Sequence, residues 1–194
     1  MSNLKVQGNA SGAGTTTLQS PNTSNSATIT LPDPTSTDTL AALGVAQTFT
    51  GTQTFAGTSS ALAMVLNDIA ETATISATAA TGTINYDITT QSVLYYTSNA
   101  SANWTINFRA SSGTSLNTAL ATGQAITVAH LVTQGSTAYY NSAVQVDGSS
   151  VTPKWQNGTA PTAGNASGID VYVYSIVKTA SATFTIFASQ TKFA

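Results

Sequence analysis

Between residues 60 and 194 the sequence is a succession of short segments that alternate apolar and polar side chains and end at turn dipeptides. The clearest hairpin signal is Asp147-Gly148, which lies between Val146 and Val151. Alternation with a period of two is typical of strands that bury one face, and Asp-Gly favours the tight turn of a β-hairpin. The pattern therefore predicts an all-β head domain at residues 60–194, a β-sandwich resembling a jelly roll.

Several segments fit this strand pattern. They are Leu62–Leu66, Thr72–Ala77, Thr83–Ile88, Val93–Thr97, Trp104–Arg109, Gln124–Thr133, Tyr139–Val146, Val151–Trp155, Ile169–Lys178 and Thr183–Ala188. The stretch at residues 59–71 leaves two alternatives open, because its apolar positions 62, 65, 66 and 69 also fit one face of a helix. In Ile169–Lys178 the alternation puts Tyr172 and Tyr174 on one face and Val171 and Val173 on the other.

Residues 1–59 contain few large apolar side chains, and these are spread thinly among Gly, Ser, Thr and Asn. Such a segment cannot bury enough surface to offset roughly 1–2 kcal/mol of backbone entropy per residue. We therefore expect residues 1–59 to form an extended N-terminal arm whose core is supplied by other chains. The predicted contacts between chains are Ile29 and Leu31, which alternate with threonines, and Phe49 and Phe55, which share one face of TFTGTQTFAG.

Charge and cysteine usage exclude several classes of function. Charged residues make up 6% of the chain, and its five basic residues are scattered, whereas binding of nucleic acid needs clustered Lys or Arg. The chain has no cysteine, and we expect neither disulfides nor thiolate chemistry. No apolar run approaches the roughly 18 residues of a membrane-spanning helix, and no signal peptide is evident, so we expect no membrane insertion.

The titratable residues do not form a recognisable catalytic or metal-binding pattern. His130 is the only histidine, and its position in ITVAHLV favours a buried strand residue with a hydrogen-bond partner over a general base. Asp87 and Asp170 could face each other as the carboxylate pair of a glycosidase, but nothing in their spacing requires it. We therefore predict a protein that is not an enzyme, with no cofactor and no metal site.

Aromatic residues occur in pairs along the head domain. Exposed tyrosine and tryptophan are typical of surfaces that bind carbohydrate or protein, which makes Tyr96, Tyr140 and Trp155 a candidate receptor surface. The alternative is that alternation turns one member of each pair into the core, and this structural role is the favoured interpretation.

Three segments resemble structural proteins of tailed bacteriophages. GAGTTTLQSPNTSNSATITLPDPTSTDTLAAL (Gly12–Leu43) resembles the N-terminal arms of tail-fibre and head-fibre proteins, and QTFTGTQTFAG (Gln47–Gly57) resembles an element common in phage fibre chains. Residues Ala143–Ala194 resemble the C-terminal β-module of virion proteins from marine phages and cyanophages, although Trp155-Gln156 is followed here by Asn157-Gly158.

The resemblance implies an intertwined homotrimer on the surface of a virion, made in the bacterial cytoplasm and without enzymatic activity. Residues 1–59 would be its anchoring and trimerisation arm, which a segment that needs partner chains for its core fits. Its implied partners are its own copies and other virion proteins of the capsid or tail. The expected function is a short fibre or capsid decoration that stabilises the particle. The alternative is a tail fibre that binds a host cell-surface glycan or protein.

Overall fold

The computed structural model describes Ala46, Thr48, Phe49 and residues 52–194. The chain divides into two units, residues 1–61 and residues 62–194. The described residues of the first unit are exposed, and the strand pairing among them is an isolated bridge between Thr58 and Ala61. Ile29 and Leu31, which were predicted as trimer contacts, lie outside the described residues.

The second unit contains two β-sheets. The larger sheet consists, in spatial order, of β1 (Ala73–Ala79), β3 (Val93–Ser98), β5 (Ala125–Thr133), β9 (Ile169–Ala180), β10 (Thr183–Phe193) and β8 (Lys154–Trp155). The smaller sheet consists of β2 (Gly82–Asp87), β4 (Trp104–Arg109), β6 (Asn141–Val146) and β7 (Ser149–Ser150). The prediction of an all-β unit with two sheets is confirmed.

The first six strands alternate between the two sheets. The strands β1, β3 and β5 pair in parallel in the larger sheet, while β2, β4 and β6 pair in parallel in the smaller sheet. Each pair of consecutive strands therefore forms one coil of the chain, and three coils stack in the direction of the hydrogen bonds. The antiparallel strands β9 and β10 then extend the larger sheet.

The predicted jelly-roll topology is not confirmed. A jelly roll is built from antiparallel strands arranged in Greek keys. Here five of the eight strand pairs in the described residues are parallel. The physical reason is that consecutive strands cross to the opposite sheet, so that strands two apart in sequence run in the same direction.

The core lies between the two sheets and follows the alternation of the sequence. Tyr172 and Tyr174 of β9, which were predicted to share one face, are both fully buried, and so is Phe108 of β4. The rings of Phe108 and Tyr174 meet edge to face with centroids 5.0 Å apart, which is within the preferred range for aromatic pairs. Packing of such large side chains supplies most of the stability of a two-sheet fold.

The predicted hairpin at Asp147-Gly148 is confirmed. Both residues have positive φ, 51° and 80°, as the two central residues of a type I′ turn require. The Asp147 carboxylate also accepts hydrogen bonds from the backbone N–H groups of Leu116 and Asn117. It thereby holds the first turn of α1 (Leu116–Ala119), a short helix that the sequence pattern did not predict.

The predicted strand at Leu62–Leu66 is wrong, and so is its helical alternative. Residues 62–71 form neither a strand nor a helix. Leu62 and Val65 are 83% and 81% exposed, so the apolar side chains of this segment bury little surface within its own unit. Without such burial neither regular structure gains enough free energy to offset the loss of backbone entropy.

Candidate interaction surfaces

The side of the larger sheet that faces away from the core forms a broad apolar surface. We call it the outer face. It consists of the alternate residues of five strands that point away from the core, and all of them have odd numbers. They are residues 73–77 of β1, 93–97 of β3, 125–133 of β5, 169–177 of β9 and 185–193 of β10, taking the odd numbers in each range. These five strands all lie in the described part of the chain, and no residue at these positions is charged. These five strands therefore carry no charge on the outer face, and the charged residue at its rim is Lys154 of β8, which pairs with Phe187.

Strand register arranges the outer face in rows. One row runs Ile75–Tyr95–Leu131–Val171–Thr191 across five strands, and its neighbour runs Ala73–Val93–Ala129–Val173–Ser189. Ile75, Phe187 and Phe193 are 61%, 50% and 52% exposed. Large apolar side chains that stay this exposed on a folded unit are typical of a surface that contacts another protein.

The corresponding side of the smaller sheet is polar. Asn107 donates a 2.8 Å hydrogen bond from its side-chain nitrogen to Oδ1 of Asn85, so that amides stack along the parallel strands. Two residue pairs further along the same strands, and on the same face, Arg109 forms an ion pair with Asp87. The two exterior surfaces of the sandwich thus differ. That of the larger sheet is mainly apolar, with Lys154 at its β8 edge, and that of the smaller sheet carries side-chain hydrogen bonds and an ion pair.

His130 occupies the centre of the core. It has no exposed surface, and its ring meets those of Tyr96, Trp104 and Tyr172 at centroid distances of 5.6, 5.8 and 6.4 Å. Neither ring nitrogen has a hydrogen-bond partner among the described residues, so the partner expected from the sequence is not found. Burial lowers the pKa of His130 from 6.5 to about 3, because the charged form would lose its hydration. The ring is therefore neutral at physiological pH and out of reach of a substrate.

A buried carboxylate lies on the same face of the larger sheet. Oδ2 of Asp170 accepts hydrogen bonds from the side chain of Gln134 and the backbone N–H of Asn165. Burial is the main cause that raises the pKa of Asp170, and these hydrogen bonds oppose it. Gly164 allows this close approach, since a Cβ at that position would collide with the carboxylate and with the carbonyl of Tyr139. These hydrogen bonds hold the loop that contains Asn165. Asp87, the other carboxylate of the candidate glycosidase pair, forms its own ion pair with Arg109.

A polar cleft of about 250 Å³ lies beside Trp155 at the β8 edge of the larger sheet. Its lining includes Gln156, Asn157, Ser189 and Lys192, whose amide, hydroxyl and amino groups could hydrogen-bond a polar ligand. The Trp155 ring itself packs edge to face on Tyr174 and is only partly exposed. Trp155 therefore closes the core at this edge as well as forming one wall of the cleft.

The structure does not bring the three candidate receptor residues together on one surface. Tyr96 packs its ring on His130 inside the sandwich, so that Tyr95 is the tyrosine of this pair on the outer face. Tyr140 lies in the loop before β6, where its backbone N–H donates to Oδ1 of Asn103. The predicted trimer contacts Phe49 and Phe55 are 58% and 59% exposed, and their contact with other chains stays a prediction.

Comparisons with known proteins do not assign the chain to a family. No protein-family model matches it, and no curated protein or solved structure matches it either. Within the described residues, no helix has the length and apolar character needed to cross a membrane. The same residues contain no group of three or more His, Asp or Glu side chains that could hold a metal ion.

Proposed function

We propose that this chain is a structural protein of a bacteriophage virion, a short trimeric fibre or capsid decoration on the particle surface. The observation that carries the proposal is the stacking of three two-strand coils. Parallel strands in register extend both sheets in one direction, and each coil rests on the next through backbone hydrogen bonds and buried side chains. Such an arrangement is a stiff mechanical element, which a surface protein of a particle requires.

Side chains reinforce the stack in the same direction. The Asn85–Asn107 hydrogen bond joins two successive coils on the smaller sheet. Inside the sandwich, the Tyr86 hydroxyl donates to the carbonyl oxygens of Ser92, the residue before β3, and of Ala129 in β5, and thereby ties the smaller sheet to the larger one. The resemblance of Gly12–Leu43, Gln47–Gly57 and Ala143–Ala194 to phage fibre and virion proteins supports the same role.

Trimerisation is the first testable part of this function. We expect sedimentation equilibrium of the full chain at micromolar concentration to give three times the 19.7 kDa of one chain. Because charged residues are only 6% of the sequence, the mass should be the same at low and at high salt. A stable species with the mass of one chain at every concentration would contradict the trimer.

A further inference from the structure

Building on the structural function proposed above, we infer that the outer face of the larger sheet packs against other copies of this chain. The exposed side chains Ile75, Phe187 and Phe193 belong to this face, and so do the partly exposed Leu131 and Val171. In an isolated unit all of them would contact water. Contact with an apolar partner removes that surface from water, which is the main driving force of protein association.

The size of the outer face is suited to a stable interface. The β5 strand and the part of β9 that pairs with it are nine residues long, or about 30 Å at ~3.3 Å per residue. Five strands about 4.8 Å apart span about 24 Å, which gives a flat area of about 700 Å². A stable interface buries about 800 Å² on each partner, whereas the largest apolar patch of a typical monomer is ~300–600 Å².

Charge identifies the partner as another copy of the chain. Apart from Lys154 of β8 at its rim, the outer face offers no charged group for recognition of a charged surface, so a partner that covers its five strands should be uncharged as well. The exterior of the smaller sheet does not meet this condition, because it carries the Asp87–Arg109 ion pair. The same outer face on a second copy does meet this condition, and identical copies are always present together.

The width of the face also allows three copies around one axis. Three sheets of about 24 Å arranged as a triangular prism would each lie about 7 Å from the common axis. Sheets packed in pairs are ~10 Å apart, or ~5 Å from their midplane. The additional ~2 Å leaves room for the larger side chains of the face, such as Tyr95 and Phe187.

The test places a lysine on the outer face of the full chain. We expect Leu131→Lys to raise the dissociation constant of the assembly by about 100-fold or more, because each copy would bring the same charge to a desolvated contact. Ile75→Lys should act in the same direction, and its position on the edge strand, with a side chain already 61% exposed, makes it compatible with a folded unit. The matched control is Thr105→Lys, at the centre of the smaller sheet's exterior, which should leave the mass of the assembly unchanged.

Sedimentation gives the mass of each variant, and far-ultraviolet circular dichroism checks that its β-structure is intact. A folded Ile75→Lys or Leu131→Lys chain that dissociates, beside an assembled Thr105→Lys chain, would support the inference. The inference would be overturned if both outer-face variants were folded and kept the mass of the wild-type assembly. It would also be overturned if the assembly of the Thr105→Lys control dissociated. A wild-type dimer that both outer-face variants dissociate would support this interface while contradicting the proposed trimer, so the two failures can be told apart.

Discussion

Replacing His130 with phenylalanine should remove most of the acid sensitivity of the folded unit. In the folded state burial holds the pKa of His130 at about 3, whereas the unfolded chain takes up the proton near 6.5. Above pH 6.5 neither state is protonated and the histidine contributes no pH dependence. As the pH falls from 6.5 to 3 the unfolded state gains a proton that the folded state does not, and the free energy of unfolding falls by about 1.4 kcal/mol per pH unit.

Between pH 6.5 and pH 3 the free energy of unfolding of the wild type should fall by an amount on the order of 4 kcal/mol because of His130. The His130→Phe variant should not show this loss. Near neutral pH the variant should be as stable as the wild type or more so, because the phenyl ring removes two buried nitrogens without partners. The raised pKa of Asp170 acts in the opposite direction, since protonation of that carboxyl in the folded state adds stability as the pH falls. This contribution is common to both proteins and cancels in their difference.

Denaturant titrations of both proteins at several values between pH 3 and pH 7 measure this difference. Equal pH dependence in wild type and His130→Phe would show that the histidine is not buried in neutral form.

Replacing Trp104 with alanine should cost about 3–5 kcal/mol of stability. The side chain is 1% exposed and its ring lies edge to face on both His130 and Tyr172, so that alanine would leave a large cavity where the two sheets meet. Trp104→Phe is the matched control. It keeps a ring in place and removes an indole N–H that has no partner among the described residues, and its cost should be much smaller.

Thermal unfolding at pH 7 measures both Trp104 variants against the wild type. If the alanine and phenylalanine variants lost the same amount of stability, the ring contacts around Trp104 would not be what holds this part of the core together.

Strand positions and strand faces could be read from the sequence because alternation is a local signal. The predicted strand Trp104–Arg109 coincides with β4, and the predicted division of β9 into two alternating faces is correct, although which face is buried was left open. The Asp-Gly turn was predictable for the same reason, since few residues accept positive φ at both central positions. The prediction of a strand or helix within residues 59–71 was wrong, because an apolar pattern forms regular structure only where a surface exists to bury it.

The order of the strands was not predictable, because pairing partners lie far apart and at unequal spacing. Ala73 pairs with Val93, 20 residues later, and Val93 pairs with Ala129, 36 residues later, so no repeat period is visible. The outer face also depends on this order, since its rows combine residues of five strands. The Asp170 network depends on Gln134 and Asn165 from two separate loops, and neither carries a local signal for it.

The most direct test of the proposed function is to find the chain on the particle. Virions purified from lysed host cells would be labelled with a gold-conjugated antibody against residues 62–194 and imaged by electron microscopy, and their proteins would be identified by mass spectrometry. We expect the chain among the virion proteins and the gold at regular positions on the capsid or the tail. A chain that is abundant in the lysate but absent from purified particles would contradict a structural role in the virion.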